Sequence, residues 1–138
     1  TVFSNHVELK FDGDTKECIT EIYGLEHIPD GFEITNESIS NIDVNREYIN
    51  IDGIILSYTQ QAVAHSSGVF IDNEHSTHHT ITIDKKEIYI VVSEWNITSA
   101  FWTDNGYSFS LVYYSKMDDE EITNIIESNT IVGYQEEE

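Results

Sequence analysis

The sequence predicts an α+β domain, a mostly antiparallel, twisted β-sheet with a C-terminal α-helix packed on one face. Three observations carry that prediction. Short runs of alternating apolar and polar residues, punctuated by Asp-Gly and Asn-Gly turns, recur from Phe32 onward. One succession of strand, tight turn, strand and helix fills residues 100–128. No internal repeat, low-complexity segment or linker divides the 138 residues, which suffice to bury one core.

Along the chain, Val7, Leu9 and Phe11 alternate with His6, Glu8 and Lys10, which suits a first strand ahead of the turn Asp12-Gly13-Asp14. Residues 18–25 fit either a helical turn or a strand, since Ile19, Ile22 and Tyr23 have helical spacing while the β-branched content favours extension. Ile28-Pro29-Asp30-Gly31-Phe32 is a turn containing the only proline. A strand begins at Phe32 and Ile34, and another carries Arg46, Tyr48 and Asn50 alternating with Glu47, Ile49 and Ile51. After the turn at Asp52-Gly53, Ile54, Ile55, Leu56 and Tyr58 start a strand that ends near Gln60-Gln61.

Residues 62–73, rich in Ser, Gly and His, read as a long loop. Ile81 and Ile83 then alternate with Thr80 and Thr82, Asp84-Lys85-Lys86 turns, and residues 88–92 form an apolar run expected of a central strand buried on both faces. Asn105-Gly106 supplies the positive φ angles of a tight hairpin between Phe101-Trp102 and the alternating Tyr107, Phe109 and Leu111. Asp118 and Asp119 open a helix over residues 119–128. Its Ile122, Ile125 and Ile126 share one face, with acidic side chains at its positive end.

Charge narrows the function. Against 26 acidic residues stand 6 basic ones, a formal charge of −20, which opposes phosphate backbones and anionic membrane surfaces, so nucleic acid is not an expected partner. The lone Cys18 excludes an intramolecular disulfide and is read as a small apolar core group. No apolar run approaches the about 20 residues needed to cross a bilayer, so direct membrane insertion is not expected. The chain starts at Thr1 and its only methionine is Met117, so a trimmed piece is expected, with any signal peptide or anchor upstream.

Several phrases taken together resemble a known domain family. They are Ile28-Pro29-Asp30-Gly31-Phe32, Tyr48-Ile49-Asn50-Ile51-Asp52-Gly53 with the strand after it, Asp72-Asn73-Glu74, Trp102-Thr103-Asp104-Asn105-Gly106-Tyr107, and Ile125-Ile126-Glu127-Ser128. Their order and spacing resemble a domain family of unknown function in Gram-positive bacteria. It typically forms the extracytoplasmic C-terminal part of membrane-anchored proteins and lipoproteins, some of them similar to anti-sigma factors or sporulation proteins. The resemblance covers residues 25–131, leaving residues 1–24 as an N-terminal strand or extension and 132–138 as an acidic tail. It implies a location outside the membrane, tethered, with an antiparallel sheet and a C-terminal helix, and it transfers no catalytic set.

Two constellations have chemistry-bearing residue types. Glu74, His75, His78 and His79 include the ligand types of a zinc site, but on a strand His78 and His79 point to opposite faces, and no metal site or other cofactor is expected. The second is aromatic. Alternation sends Tyr107, Phe109 and Leu111 beneath the helix and leaves Tyr114 with Ser108, Ser110 and Val112 on the other side. Core and cross-strand packing explains such a run. The functional reading is a peptide or glycan platform on the face away from the helix, with Trp95, Trp102, Tyr114 and Gln60 as candidate ligand-binding residues. No Gly-x-Ser-x-Gly elbow or phosphate loop occurs. The leading expectation is therefore a non-enzymatic extracytoplasmic binding or sensing module for a protein, peptide or glycan at the cell surface. The alternatives are a cell-wall hydrolase using an Asp/Glu pair and a structural spacer.

Overall fold

The computed structural model describes residues 6–8, 16–62, 70–72 and 76–136. Seven strands make the main sheet: β3 (Glu33–Ile39), β4 (Asp43–Ile49), β5 (Ile55–Ala62), β7 (Ser76–Ile83), β8 (Lys86–Ser93), β9 (Thr98–Asp104) and β10 (Tyr107–Tyr113). They lie in the order β3-β4-β5-β10-β9-β8-β7, every neighbouring pair antiparallel. A short pair joins β1 (His6–Glu8) to β6 (Phe70–Asp72), and a third, two-stranded ribbon joins β2 (Glu21–Leu25) to β11 (Asn129–Tyr134). The helix α1 (Asp119–Glu127) runs directly into β11.

Local chemistry explains the hairpins. Asn105 and Gly106 both have positive φ, at 53° and 83°, so the β9–β10 turn has two residues and sets Asp104 opposite Tyr107 and Trp102 opposite Phe109. Asp84 and Lys85 adopt the same left-handed conformation between β7 and β8. In the β4–β5 connection the Asn50 side chain accepts hydrogen bonds from the amides of Asp52 and Ile54, at 3.0 and 2.9 Å.

The helix begins where its cap predicts. Asp118 Oδ1 accepts the Glu121 amide at 2.9 Å, and at the other end the Ser128 hydroxyl donates to the Ile125 carbonyl at 2.6 Å. Ile122, Ile125 and Ile126 are buried in the main core with Tyr58, Trp102, Phe109 and Leu111. Each such isoleucine contributes about 1.5–3 kcal/mol through burial.

Helix α1 shares its layer with the β2–β11 ribbon, which the sequence left open: residues 21–25 are a strand and not a helical turn. The ribbon is hung on polar side chains that rise from the sheet. Gln60 Oε1 accepts the Tyr23 amide and its Nε2 donates to the Glu21 carbonyl, both at 2.9 Å, while Arg46 Nη1 donates to the Tyr23 carbonyl at 2.7 Å. A Cβ on Gly24 would stand 3.1 Å from the Val132 side chain, so glycine permits the close approach of the two strands. The positions 24/25 and 131/132, read from the sequence as borders, fall inside β2 and β11.

Two further expectations change. The apolar run at residues 88–92 lies in β8, one strand in from the β7 edge, while β10 is central. Ile88 and Ile90 face the core, while Tyr89 and Val91 point the other way, opposite Phe101 and Ser99, where Val91 is buried and Tyr89 half-buried, so the run is covered on both faces although its strand is not the central one. The run is apolar because its outward side chains pack on neighbours in the same sheet. The long loop read over residues 62–73 contains β6, paired with β1; Leu9 and Phe11 lie outside the described residues.

Candidate functional site

A strand sends alternate side chains to opposite faces, and directly paired residues share a face, so the register sorts the main sheet into two surfaces. One surface is the core. Across it run Val44, Gln60, Phe109 and Trp102, then Arg46, Tyr58, Leu111, Ala100 and Ile90. Tyr23 of the ribbon meets Phe109 and Tyr107 edge-on, with ring centroids 5.2 and 5.9 Å away, and Trp102 stacks on Phe109 at 5.4 Å.

The opposite surface carries Asn45, Thr59, Ser110, Phe101 and Tyr89 in one register row, each directly opposite the next on five adjacent strands. The row beside it carries Glu47, Ser57, Val112, Ser99 and Val91. Phe101, Tyr89, Thr59 and Ser110 are half-buried and Asn45 is exposed. The Thr59 hydroxyl donates to Asn45 Oδ1 at 3.0 Å. Two shallow depressions, of about 160 and 100 Å³, meet at Thr59; the first includes Asn36, Asn45 and Ser57, the second Gln61, Phe101 and Ser110.

Trp102 and Gln60, expected on a ligand platform, are instead fully buried on the core surface. The physical reason is register: both sit directly opposite Phe109 and so share its inward face. Gln60 is structural, and the Trp102 indole is spent on packing, its Nε1 without a hydrogen-bond partner among the described residues. Tyr114, the residue after β10, is 50% exposed, and its amide donates to the Ile55 carbonyl.

Trp95 is 73% exposed in the β8–β9 connection. There Ser93 Oγ accepts the amides of Trp95 and Ile97, at 3.2 and 3.1 Å, and Asn96 takes a positive φ of 60°. That geometry turns the indole outward. Next to it a groove of about 420 Å³ is lined by Thr77, Val92, Ser93, Asn96 and Lys116, among others. Trp95 and Tyr114 thus mark one end of the sheet and lie apart from the Phe101–Tyr89 pair. The sequence reading missed that pair as site residues. The signal was available for Phe101: a two-residue turn that puts Trp102 opposite Phe109 puts Phe101 opposite Ser110, on the outer face.

Of the four metal candidates, Glu74 and His75 lie outside the described residues. His78 sits opposite Val91 on the outer surface and His79 opposite Ile90 on the inner one, as strand alternation requires. The imidazole Nε2 of His79 lies 2.9 and 3.0 Å from the two carboxylate oxygens of Asp119 in the first turn of α1. A matching contact joins His27 to Glu121 at 3.2 Å. Among the described residues no group of three or more His, Cys, Asp or Glu side chains converges on a metal position.

Two shifted titrations belong to the layer contact. Burial pushes the Tyr58 phenol far above its usual range; its hydroxyl donates to Asn129 Oδ1 at 2.5 Å. Burial works to raise the Glu21 carboxyl, but hydrogen bonds from Asn105, Lys16 and Tyr107 outweigh it and hold the group below the usual carboxylate range.

A family model described as a domain of unknown function (DUF4367) matches residues 22–128, so the chain belongs to that family. No match to it was found among curated proteins or among solved structures.

Proposed function

We propose that this member of the DUF4367 family is a non-enzymatic extracytoplasmic binding or sensing module of a membrane-anchored Gram-positive protein, with its ligand on the outer face of the seven-stranded sheet. One observation carries the reading. The inner face is covered by α1 and the β2–β11 ribbon, whereas the outer face leaves Phe101, Tyr89, Thr59 and Ser110 half-buried and Asn45 exposed. A face of small hydroxyls, amides and two rings, held rigid by its register, offers contact area at little entropic cost. The extracytoplasmic and tethered part rests on the family resemblance of the turn and strand phrases.

Co-sedimentation with Gram-positive cell-wall sacculi tests the binding part. The wild-type chain is expected to pellet with sacculi, and a variant with a bulky charge on the outer face, Thr59→Arg, to remain in solution. Equal pelleting of both refutes the site. Protease added to intact cells of the source bacterium tests location: full protection refutes an extracytoplasmic domain.

A further inference from the structure

We propose that the outer face is a docking strip for an uncharged polysaccharide, laid across the strands along the row Asn45, Thr59, Ser110, Phe101 and Tyr89. This rests on the binding-module reading and names its ligand class.

Charge is the first argument. In a chain with 26 acidic residues, this row carries no charged side chain, and its continuations at both edges, Ser38 on β3 and Thr80 on β7, carry none either. Carboxylates stand in the flanking rows, at Glu47 beside Ser57 and at Asp43 beside Gln61. A polyanion laid along the row would run between them and be repelled. A basic segment would find its counter-charges only at the flanks, with nothing in the row to pair. An uncharged chain loses nothing to either effect.

Chemistry is the second. Asn45, Thr59 and Ser110 present amide and hydroxyl groups that both donate and accept, the match for sugar hydroxyls, which do the same. Phe101 and Tyr89 then stand opposite each other on adjacent strands, about 4.8 Å apart along the hydrogen-bonding direction, and their negative ring faces attract the C–H faces of pyranose rings. Shape is the third. The two small depressions share Thr59 and between them border Asn45, Ser110 and Phe101, with Arg46 and Glu47 also lining the first, so contacts would be spread over several strands and not concentrated in one deep pocket, which suits a chain better than a small metabolite.

The test uses chitohexaose and cellohexaose as probes, amide chemical-shift mapping on the whole 138-residue chain, and calorimetry. The expected result is saturable binding of at least one hexasaccharide with shifts concentrated at Thr59, Ser110, Phe101 and Tyr89. The affinity should change little with salt, and Ser110→Glu and Tyr89→Ala should each weaken it about tenfold or more. Should either variant fail to fold, Asn45→Glu at an exposed position of the row takes its place. No binding of either hexasaccharide, or binding unaffected by these variants, overturns the inference. Salt-sensitive binding of poly-lysine at this face without saccharide binding overturns the glycan assignment and leaves the binding-module reading standing. Wild-type pelleting with sacculi that Thr59→Arg leaves unchanged removes both.

Discussion

Gln60→Leu should destabilise the fold by about 2–4 kcal/mol. The side chain is fully buried, and its amide is the partner of two backbone groups of β2: the Tyr23 amide and the Glu21 carbonyl, each at 2.9 Å. Leucine keeps most of the volume and fits the neighbouring Phe109 and Val44, so little cavity forms. What it cannot do is pair those groups. Each buried group left unpaired costs about 1–3 kcal/mol, partly offset by the added apolar contact, which gives the stated range. Urea unfolding measures it: the midpoint should fall by about 1 M or more with the slope unchanged, given slopes of about 1–3 kcal/mol/M. Hydrogen exchange adds a local readout, since the Tyr23 amide should lose more protection than the amides of β10. Gln61→Leu, one residue on and facing outward, is the control and should stay within about 0.5 kcal/mol of wild type. An unchanged midpoint for Gln60→Leu would refute the claim that the ribbon hangs on this side chain.

Ile125→Ala, at a fully buried helix position, should cost about 2–4 kcal/mol in the same assay, and an unaltered midpoint would mean that α1 does not seat on the core. Glu21 has a lowered carboxyl, so its stabilisation is fully present above the ordinary carboxylate range and is lost as pH falls through the depressed folded value. Glu21→Gln should therefore be less stable than wild type at neutral pH and converge with it in strong acid; a gap that widens in acid contradicts that sign. Because burial raises the Tyr58 phenol, its ultraviolet titration should be absent until alkali unfolds the chain, and a reversible phenolate step assigned to it in the folded state would contradict the burial. With a formal charge of −20, moderate salt should raise the melting temperature at neutral pH by screening self-repulsion, and a fall in added salt would point to paired or coordinated carboxylates.

The range of each interaction set how far it could be read from the chain. The Asn105-Gly106 hairpin, the Asp118 cap and the isoleucine face of α1 were legible because each depends on residues within a few positions of one another. The same local rule already held the correct face for Trp102 and Phe101, since a two-residue turn fixes the register on both sides of it. His78 and His79 were separated correctly by alternation alone. Alternation within β5 put Gln60 on the face of Leu56 and Tyr58, but its polar side chain made it look like a surface residue; that it is buried to hold β2 depends on partners some 37 positions away (60 minus 23), which no local signal shows. The β2–β11 ribbon, which pairs Tyr23 with Ile131, is more distant still. Alternation thus determined that each strand has two faces and which of its own residues share one. The helix over the Phe109 face was foreseen from that alternation, but only the tertiary structure added the β2–β11 ribbon to the same layer and left the Phe101 face without a covering layer among the described residues, because that pairing is settled by contacts between segments far apart in sequence.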